Sequence, residues 1–475
     1  MERKKPLTGK IIWLFAIGQL GWSLLSALIT NWVTTFYQPD AEMMEAGQKV
    51  FFAQDKVVFG LLTILGGVFA FGRLWDAITD PLIANFSDKS KNPKGRRIPF
   101  MAKAAIPFSI AAVLVYWCPV NGNSPVNAWW VFVMLILFYL FMTMYCTPYN
   151  SLIAELSGNQ KELTDISTAI SFTFIFGSAI GYAAPYIWGP LTGVFNDRVM
   201  AIRVTFTILA AIGLICLLVP VFTIKEKDYV VVKDEDIDSK SNVIQSLAKT
   251  FKNKDFVTFV TSDVCYWIAI TMFQTGLPFF VTSLMKLEES WNTTLYIGMT
   301  LLSVLCYLPV NMVVRKGKLQ KKHLIMFAFI QFSIVYLITS FASGTAGTND
   351  GLVFGLIVVA LAAVPMAILG ILPQTIVADV AKEDEILTGE NRDGMFFAAR
   401  TFSMKLGQAI ATVLFTSLAT IGASYDEEGN LLTATGQGYR VAAVVCAICC
   451  FGAAIILNFY NEKKIMATLK EHELH

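Results

Sequence analysis

One feature constrains this chain more than any other: long apolar runs, each able to cross a bilayer, recur from end to end. A spanning helix needs about 20 mostly apolar residues. About twelve such runs occur, near 11–37, 57–86, 98–117, 128–154, 165–190, 201–224, 256–284, 292–314, 323–343, 352–379, 394–422 and 438–460. Hydrocarbon offers no water to backbone N–H and C=O groups, so runs of this length must satisfy those groups internally, as helices. Several carry Gly or Pro, which neighbouring helices make tolerable in a membrane bundle. Composition enters on one point only. Charged residues make up 15% of the chain and hydrophobic ones 55%, against about 25% charged in a soluble domain, so most of the chain does not meet water.

The run that follows Met1-Glu2-Arg3-Lys4-Lys5 lacks a small-residue cleavage site. It reads as the first spanning helix and not as a signal peptide. Basic residues then set the orientation. They gather at Arg3, Lys4, Lys5 and Lys10, and in the 2–3 loop at Lys89, Lys91, Lys94, Arg96 and Arg97. They return in the middle loop (Lys225, Lys227, Lys233, Lys249, Lys252, Lys254), in the 8–9 loop (Arg315, Lys316, Lys318, Lys321, Lys322) and in the tail (Lys463, Lys464, Lys470). The 3–4, 9–10 and 11–12 loops have essentially none. This alternation predicts both termini in the cytoplasm, with the chain in a plasma membrane, a bacterial inner membrane by expectation.

The middle loop is the only long polar stretch. It divides the chain into a six-helix half over 1–224, a cytoplasmic linker over 225–255, a second six-helix half over 256–460 and a cytoplasmic tail over 461–475. The expected fold class is an all-α membrane protein with twelve transmembrane helices in two six-helix halves. That is the plan of major facilitator carriers, whose substrate site lies between the halves near the midplane. The basic 2–3 and 8–9 loops occupy equivalent places and suggest an internal repeat.

Segment 2 carries the chemistry. It reads Gly72-Arg73-Leu74-Trp75-Asp76-Ala77-Ile78-Thr79-Asp80-Pro81. Asp76 and Asp80 are four apart and so share a helix face. Asp80 lies about six residues, roughly 9 Å, from the cytoplasmic end, with Asp76 deeper. A carboxylate at that depth costs several kcal/mol unless paired, hydrated or protonated. Two on one face repel until a cation joins them. The pair therefore predicts a cation site, for Na⁺ through oxygen ligands or for H⁺; the alternative is a structural network with Arg73.

These residues, Arg73 through Pro81, resemble the helix 2 signature of the glycoside–pentoside–hexuronide:cation symporters, the melibiose permease group of the major facilitator superfamily. Asp384-Glu385-Ile386-Leu387-Thr388-Gly389-Glu390-Asn391-Arg392-Asp393-Gly394, running on to Phe402-Ser403-Met404-Lys405-Leu406-Gly407, resembles that family's segment between helices 10 and 11. Pro148-Tyr149-Asn150-Ser151-Leu152 in helix 4 is a third match. The resemblance implies that Asp76 and Asp80 bind the coupling cation. It implies that Thr143 assists, and that Lys405 on helix 11 stands between cation and substrate. A lysine near mid-membrane needs an acidic partner, which fits. For Thr143 the alternative is a hydroxyl bonded to its own helix backbone.

The family's sugar clamp is missing. Where melibiose-type carriers place acids on helices 1 and 4, this chain has Ser23 and Cys146, and Ala169 stands where a helix 5 arginine is expected. The remaining candidate substrate residues are neutral or aromatic: Gln19, Trp22, Ser23, Cys146, Tyr149, Asn150, Gln374 and Thr401, with Arg400 and Lys405 as cations. Such a set suits a sugar, a glycoside or an amphiphile such as a lysophospholipid. The expected function is cation-coupled symport of a carbohydrate by alternating access, with the amphiphile as alternative. The coupling ion, Na⁺ or H⁺, is the only cofactor expected, and the expected partners are a small-molecule substrate and the bilayer, with no nucleic acid and a monomeric carrier.

Other features carry less. The histidines, His323, His472 and His475, sit at a loop edge and in the tail, where no His-based triad or metal site can form, so the chain is not expected to be an enzyme. Cys446, Cys449 and Cys450 lie in an apolar helix without His or acidic neighbours and read as packing. Asp263 in segment 7 is an intramembrane acid suited to gating or to pairing with Lys252 or Lys254. Asn292-Thr293-Thr294 is a glycosylation sequon on an expected external loop.

Overall fold

A computed structural model describes residues 7–53, 56–58, 62–88, 90, 92–157, 160–229, 248–315, 319–345, 348–389, 392–425, 431–433 and 436–473. Among these, each predicted span is a helix. The first six are α1 (Gly9–Tyr37), α2 (Ile64–Asp88), α3 (Ile98–Leu114), α4 (Pro125–Leu156), α5 (Gln160–Tyr182) and α6 (Arg198–Thr223). The second six are α7 (Lys254–Phe279), α8 (Ser290–Arg315), α9 (Lys321–Ser340), α10 (Asp350–Thr388), α11 (Asp393–Leu418) and α12 (Gln437–Leu457). Eight of the spans among the described residues are long and apolar enough by themselves to cross a membrane. The ionisable-residue-rich α2 and α11 are not among them; their cost has to be met inside the protein.

Boundaries differ from expectation where hydropathy is a poor guide. Segment 2 was expected from residue 57, but α2 starts at Ile64, and Lys56–Val58 (β1) pairs antiparallel with Leu62–Thr63 (β2). A second small ribbon joins Ser424–Tyr425 (β3) to Leu431–Thr433 (β4). Segment 5 breaks after Tyr182, and a short helix restarts at Pro185 and runs to Phe195. Proline suits that first-turn place, because its missing N–H would have had no helical partner there. In the other direction, α10 overruns its apolar stretch as a charged helix to Thr388. A Lys382–Glu385 ion pair supports the overrun, and Gly389 caps it in the left-handed conformation (φ 71°). The π-helical turn Phe280–Leu284 extends α7. Arg3, Lys4, Lys5, Lys89, Lys91, Lys233, Lys316, Lys318, Glu390, Asn391 and His475 lie outside the described residues, as does most of the linker.

The chain divides into two compact units, residues 1–239 with 423–434, and residues 240–422 with 435–475. In the first, α1 packs on α5 and α6, α4 on α2 and α3, and α3 on α6. In the second, α7 packs on α11 and α12, α10 on α8 and α9, and α9 on α12. Adding six to each helix number of the first unit gives the pairings of the second. The repeat suggested by two basic loops is thus a repeat of packing.

It extends to individual hydrogen bonds. Glu226, just after α6, accepts the backbone N–H groups of Arg96 (2.6 Å), Arg97 (2.9 Å) and Ile98 (3.0 Å) at the start of α3. Glu462, just after α12, accepts those of Lys321 (2.9 Å) and Lys322 (2.8 Å) at the start of α9. A helix start exposes donors and positive dipole, so one carboxylate satisfies several at once. The fourth helix of each unit adds an acid for the same base cluster: Glu155 of α4 to Arg97 (2.8 Å) and Asp379 of α10 to Lys321 (2.5 Å). Gly95 allows the first arrangement. Its φ is 132°, and a Cβ there would lie 2.2 Å from Glu226 Oε2.

Candidate functional site

The acids of α2 face α4, and the approach is close because residue 72 has no side chain. A Cβ on Gly72 would meet the Tyr139 ring at 2.7 Å. Arg73 lies over that same ring, 5.2 Å from its centroid.

At this contact Thr143 Oγ1 donates to Asp76 Oδ1 at 2.6 Å. Asp76 has no exposed surface, and Thr143 is 1% exposed. Buried Thr79 completes the group, its Oγ1 3.4 Å from that of Thr143 and 3.1 Å from the Asp76 carbonyl. One turn further on, Thr147 Oγ1 donates to the half-buried Asp80 at 3.3 Å. Both acid–threonine pairs are 67 residues apart, so α2 and α4 run in the same direction with constant register. Each carboxylate thus meets a hydroxyl, a group that can donate to a carboxylate or offer lone pairs to a cation. Two carboxylates and three hydroxyls thus line two successive steps of the α2–α4 contact, Asp76 with Thr143 and Thr79, then Asp80 with Thr147; oxygens of these kinds are what a hard cation or a proton takes. Among the described residues, no group of three or more His, Cys, Asp or Glu is placed to hold a metal ion.

Thr147 and Thr79 had not been singled out from the sequence. The signal for Thr147 was there: Thr143 and Thr147 repeat at four residues, as Asp76 and Asp80 do, and equal spacings on neighbouring helices can match pair for pair.

The other candidates divide into several groups. Buried Gln19 accepts the Trp22 Nε1–H at 3.0 Å. Ser23 is buried against α5, where a Cβ on Gly177 would fall 2.0 Å from its Oγ, and it donates to the Leu20 carbonyl at 3.1 Å. Tyr149 is fully buried, stacked on Phe15 at 4.3 Å, and donates to the Phe15 carbonyl at 2.9 Å. Ser23 and Tyr149 are therefore spent on packing α1 in this structure. Cys146 and Lys405 are half-buried, and Asn150, Gln374 and Thr401 are exposed. Thr401 donates to the Phe397 carbonyl at 3.0 Å.

Asp263 and Arg400, treated separately above, are partners. Arg400 Nε and Nη2 donate to the two carboxylate oxygens at 2.8 and 3.2 Å, joining α7 to α11, and both residues are buried. This replaces the expected pairing of Asp263 with Lys252 or Lys254. The fork geometry of guanidinium on carboxylate is what makes such a pair tolerable away from water. Asn292 is fully buried in the first turn of α8, so the sequon there is a packing site and not a glycan acceptor. Cys446 and Cys450 are buried and Cys449 half-buried, all without disulfides.

Comparison with known proteins places the chain. The family described as "MFS/sugar transport protein" matches residues 14–464. The isoprimeverose transporter of Lactiplantibacillus pentosus is 24% identical over 449 residues, 89% of this chain and 86% of the relative. The sodium-dependent lysophosphatidylcholine symporter 1 of Xenopus tropicalis is 22% identical over 426 residues, 81% of this chain and 76% of the relative. Among solved structures, a D-xylose-proton symporter superposes with a TM-score of 0.63 at 16% identity, over 96% of this chain and 98% of the other, which shows a shared fold.

Proposed function

The chain belongs to the MFS/sugar transport protein family, and from that premise we propose that it is a cation-coupled symporter of a sugar, glycoside or related carbohydrate. It is an integral membrane transporter and not an enzyme. The expected resemblance to glycoside:cation symporters agrees with the family match and with the names of its relatives. The observation that carries the coupling half of the reading is the α2–α4 contact, where Thr143 meets Asp76 at 2.6 Å and Thr147 meets Asp80 at 3.3 Å. Setting two carboxylates, one buried and one half-buried, on one face of an apolar helix is costly unless a cation is to join them.

In this reading a cation settles at Asp76, Asp80 and Thr143 and raises the affinity for substrate. Loading of both then permits the halves to alternate access. By linkage, substrate raises cation affinity by the same factor. Lys405, by its place in the family pattern, is the charge between cation and cargo. Gln19, Trp22, Cys146, Asn150, Gln374 and Thr401 remain the substrate candidates, while the packed Tyr149 and Ser23 support α1 and Arg400 is held by Asp263. The membrane is a cell inner membrane with both termini cytoplasmic, and the working unit is a monomer.

A second reading, an amphiphile such as a lysophospholipid as cargo, draws on the absent acid clamp at Ser23 and Cys146 and on the lysophosphatidylcholine symporter among the relatives. A thermal-shift screen of purified protein against sugars, glycosides and lysolipids, in Na⁺ and in K⁺ and at two pH values, separates the two. A bound ligand stabilises by mass action. Stabilisation by glycosides that grows in Na⁺ or at lower pH supports the carbohydrate reading; stabilisation by lysolipids alone replaces it with the second. No cation-dependent ligand response in either class contradicts coupling.

A further inference from the structure

The second step of the α2–α4 contact has a chemistry of its own. Asp80 and Thr147 sit about 6 Å along the helices from Asp76 and Thr143, four residues at 1.5 Å each. Each is followed by a proline inside its helix, Pro81 on α2 and Pro148 on α4. The two prolines keep the same 67-residue offset as the acid–threonine pairs, so both helices lose an N–H at one level. A helical proline cannot donate to the carbonyl four residues back. Those carbonyls belong to Ala77 and Met144, again 67 apart. The Asp80–Thr147 turn is thus accompanied by two carbonyl oxygens, one on each helix, without their helical donors.

A proton needs a single carboxylate oxygen. An alkali-metal cation stripped of water needs several, and hard cations take them from carboxylates, hydroxyls and backbone carbonyls alike. The Thr147 hydroxyl beside Asp80, with a proline-released carbonyl three residues earlier on each helix, serves the second task and is superfluous to the first.

We propose that Thr147 is a specificity-determining ligand of the coupling site: with Asp80, and with the proline-released carbonyls of Ala77 and Met144 on the same turn, it selects a dehydrated alkali-metal cation over a proton. This rests on the coupling site of the proposed function and adds to it a residue and an ion class. The Thr147 hydroxyl donates to Asp80 in this structure, and its lone pairs are free to turn to an ion. A methyl group in its place leaves size and shape almost unchanged and removes one oxygen.

The test uses full-length purified protein and Na⁺ alone as probe, titrated at constant ionic strength against K⁺, with thermal stability as readout. Wild type is expected to gain stability with Na⁺ at fixed pH. T147V is expected to need about tenfold more Na⁺ for half the effect, the loss of about 1.4 kcal/mol of one oxygen ligand. T147S, which restores the hydroxyl, returns to within about threefold of wild type, an outcome that a purely structural role for the methyl group would not give. T147V titrating like wild type while D80N abolishes the response overturns the role of Thr147 and leaves the coupling site standing. A wild type that responds to pH and not to Na⁺ overturns the ion class, and one that responds to neither overturns both this inference and the reading beneath it.

Discussion

Replacing Glu226 with alanine removes one carboxylate and strands three backbone donors. Glu226 is 2% exposed, and its two oxygens take the N–H groups of Arg96, Arg97 and Ile98 at 2.6, 2.9 and 3.0 Å. A buried donor left unsatisfied costs roughly 1–3 kcal/mol. With water returning to part of the site, E226A should cost about 3–5 kcal/mol. For a unit of this size each kcal/mol moves the midpoint by about 2–4 °C, so the transition should fall by roughly 10 °C. E462A strands two donors, at 2.9 and 2.8 Å, and should cost about two-thirds as much. E226Q keeps an acceptor oxygen and loses charge, and should cost least. G95A should approach E226A, because its Cβ would lie 2.2 Å from the carboxylate. Detergent-solubilised variants followed by intrinsic fluorescence on heating give the order directly. Equal midpoints for E226A and wild type, or E462A below E226A, would refute the reasoning that one carboxylate holds the start of each third helix.

Two further outcomes follow from the same kind of bookkeeping. D263N or R400M alone leaves a buried charge without its partner and should cost about 3–5 kcal/mol, while the D263L/R400M double variant should recover most of it, read as a double-mutant cycle in thermal stability. G72A forces α2 off the Tyr139 ring and should cost about 1–3 kcal/mol, with a rise in half-saturating Na⁺ that the D263L/R400M protein does not show.

Much of this molecule was legible in the order of its residues. Hydropathy found the spans because a bilayer permits few other structures at that length, and it erred where a helix outruns its apolar stretch, as α10 does beyond residue 379, where a strand pair precedes one, as at Lys56–Thr63, and where a helix breaks within an apolar run, as after Tyr182. Asp76 and Asp80 stood out because a carboxylate in an apolar helix is costly. Thr147 was passed over because threonine in such a helix is cheap, its hydroxyl able to bond its own backbone. Its role came into view only when the register of α2 against α4 put it beside Asp80. The pairing of Asp263 with Arg400 joins residues 137 apart on α7 and α11, and no local pattern encodes it. Ser23 and Tyr149 were candidates by residue type and became packing groups by position, which tertiary contacts alone decide.

Whether Asp80 couples transport to a cation is read from uptake of glycosides and lysolipids into proteoliposomes, with and without an inward Na⁺ or H⁺ gradient, for wild type beside a folded D80N variant. Wild type should accumulate substrate above the outside concentration only when a cation gradient is imposed, and D80N should at most equilibrate it. Gradient-dependent accumulation that persists in D80N would contradict coupling through Asp80.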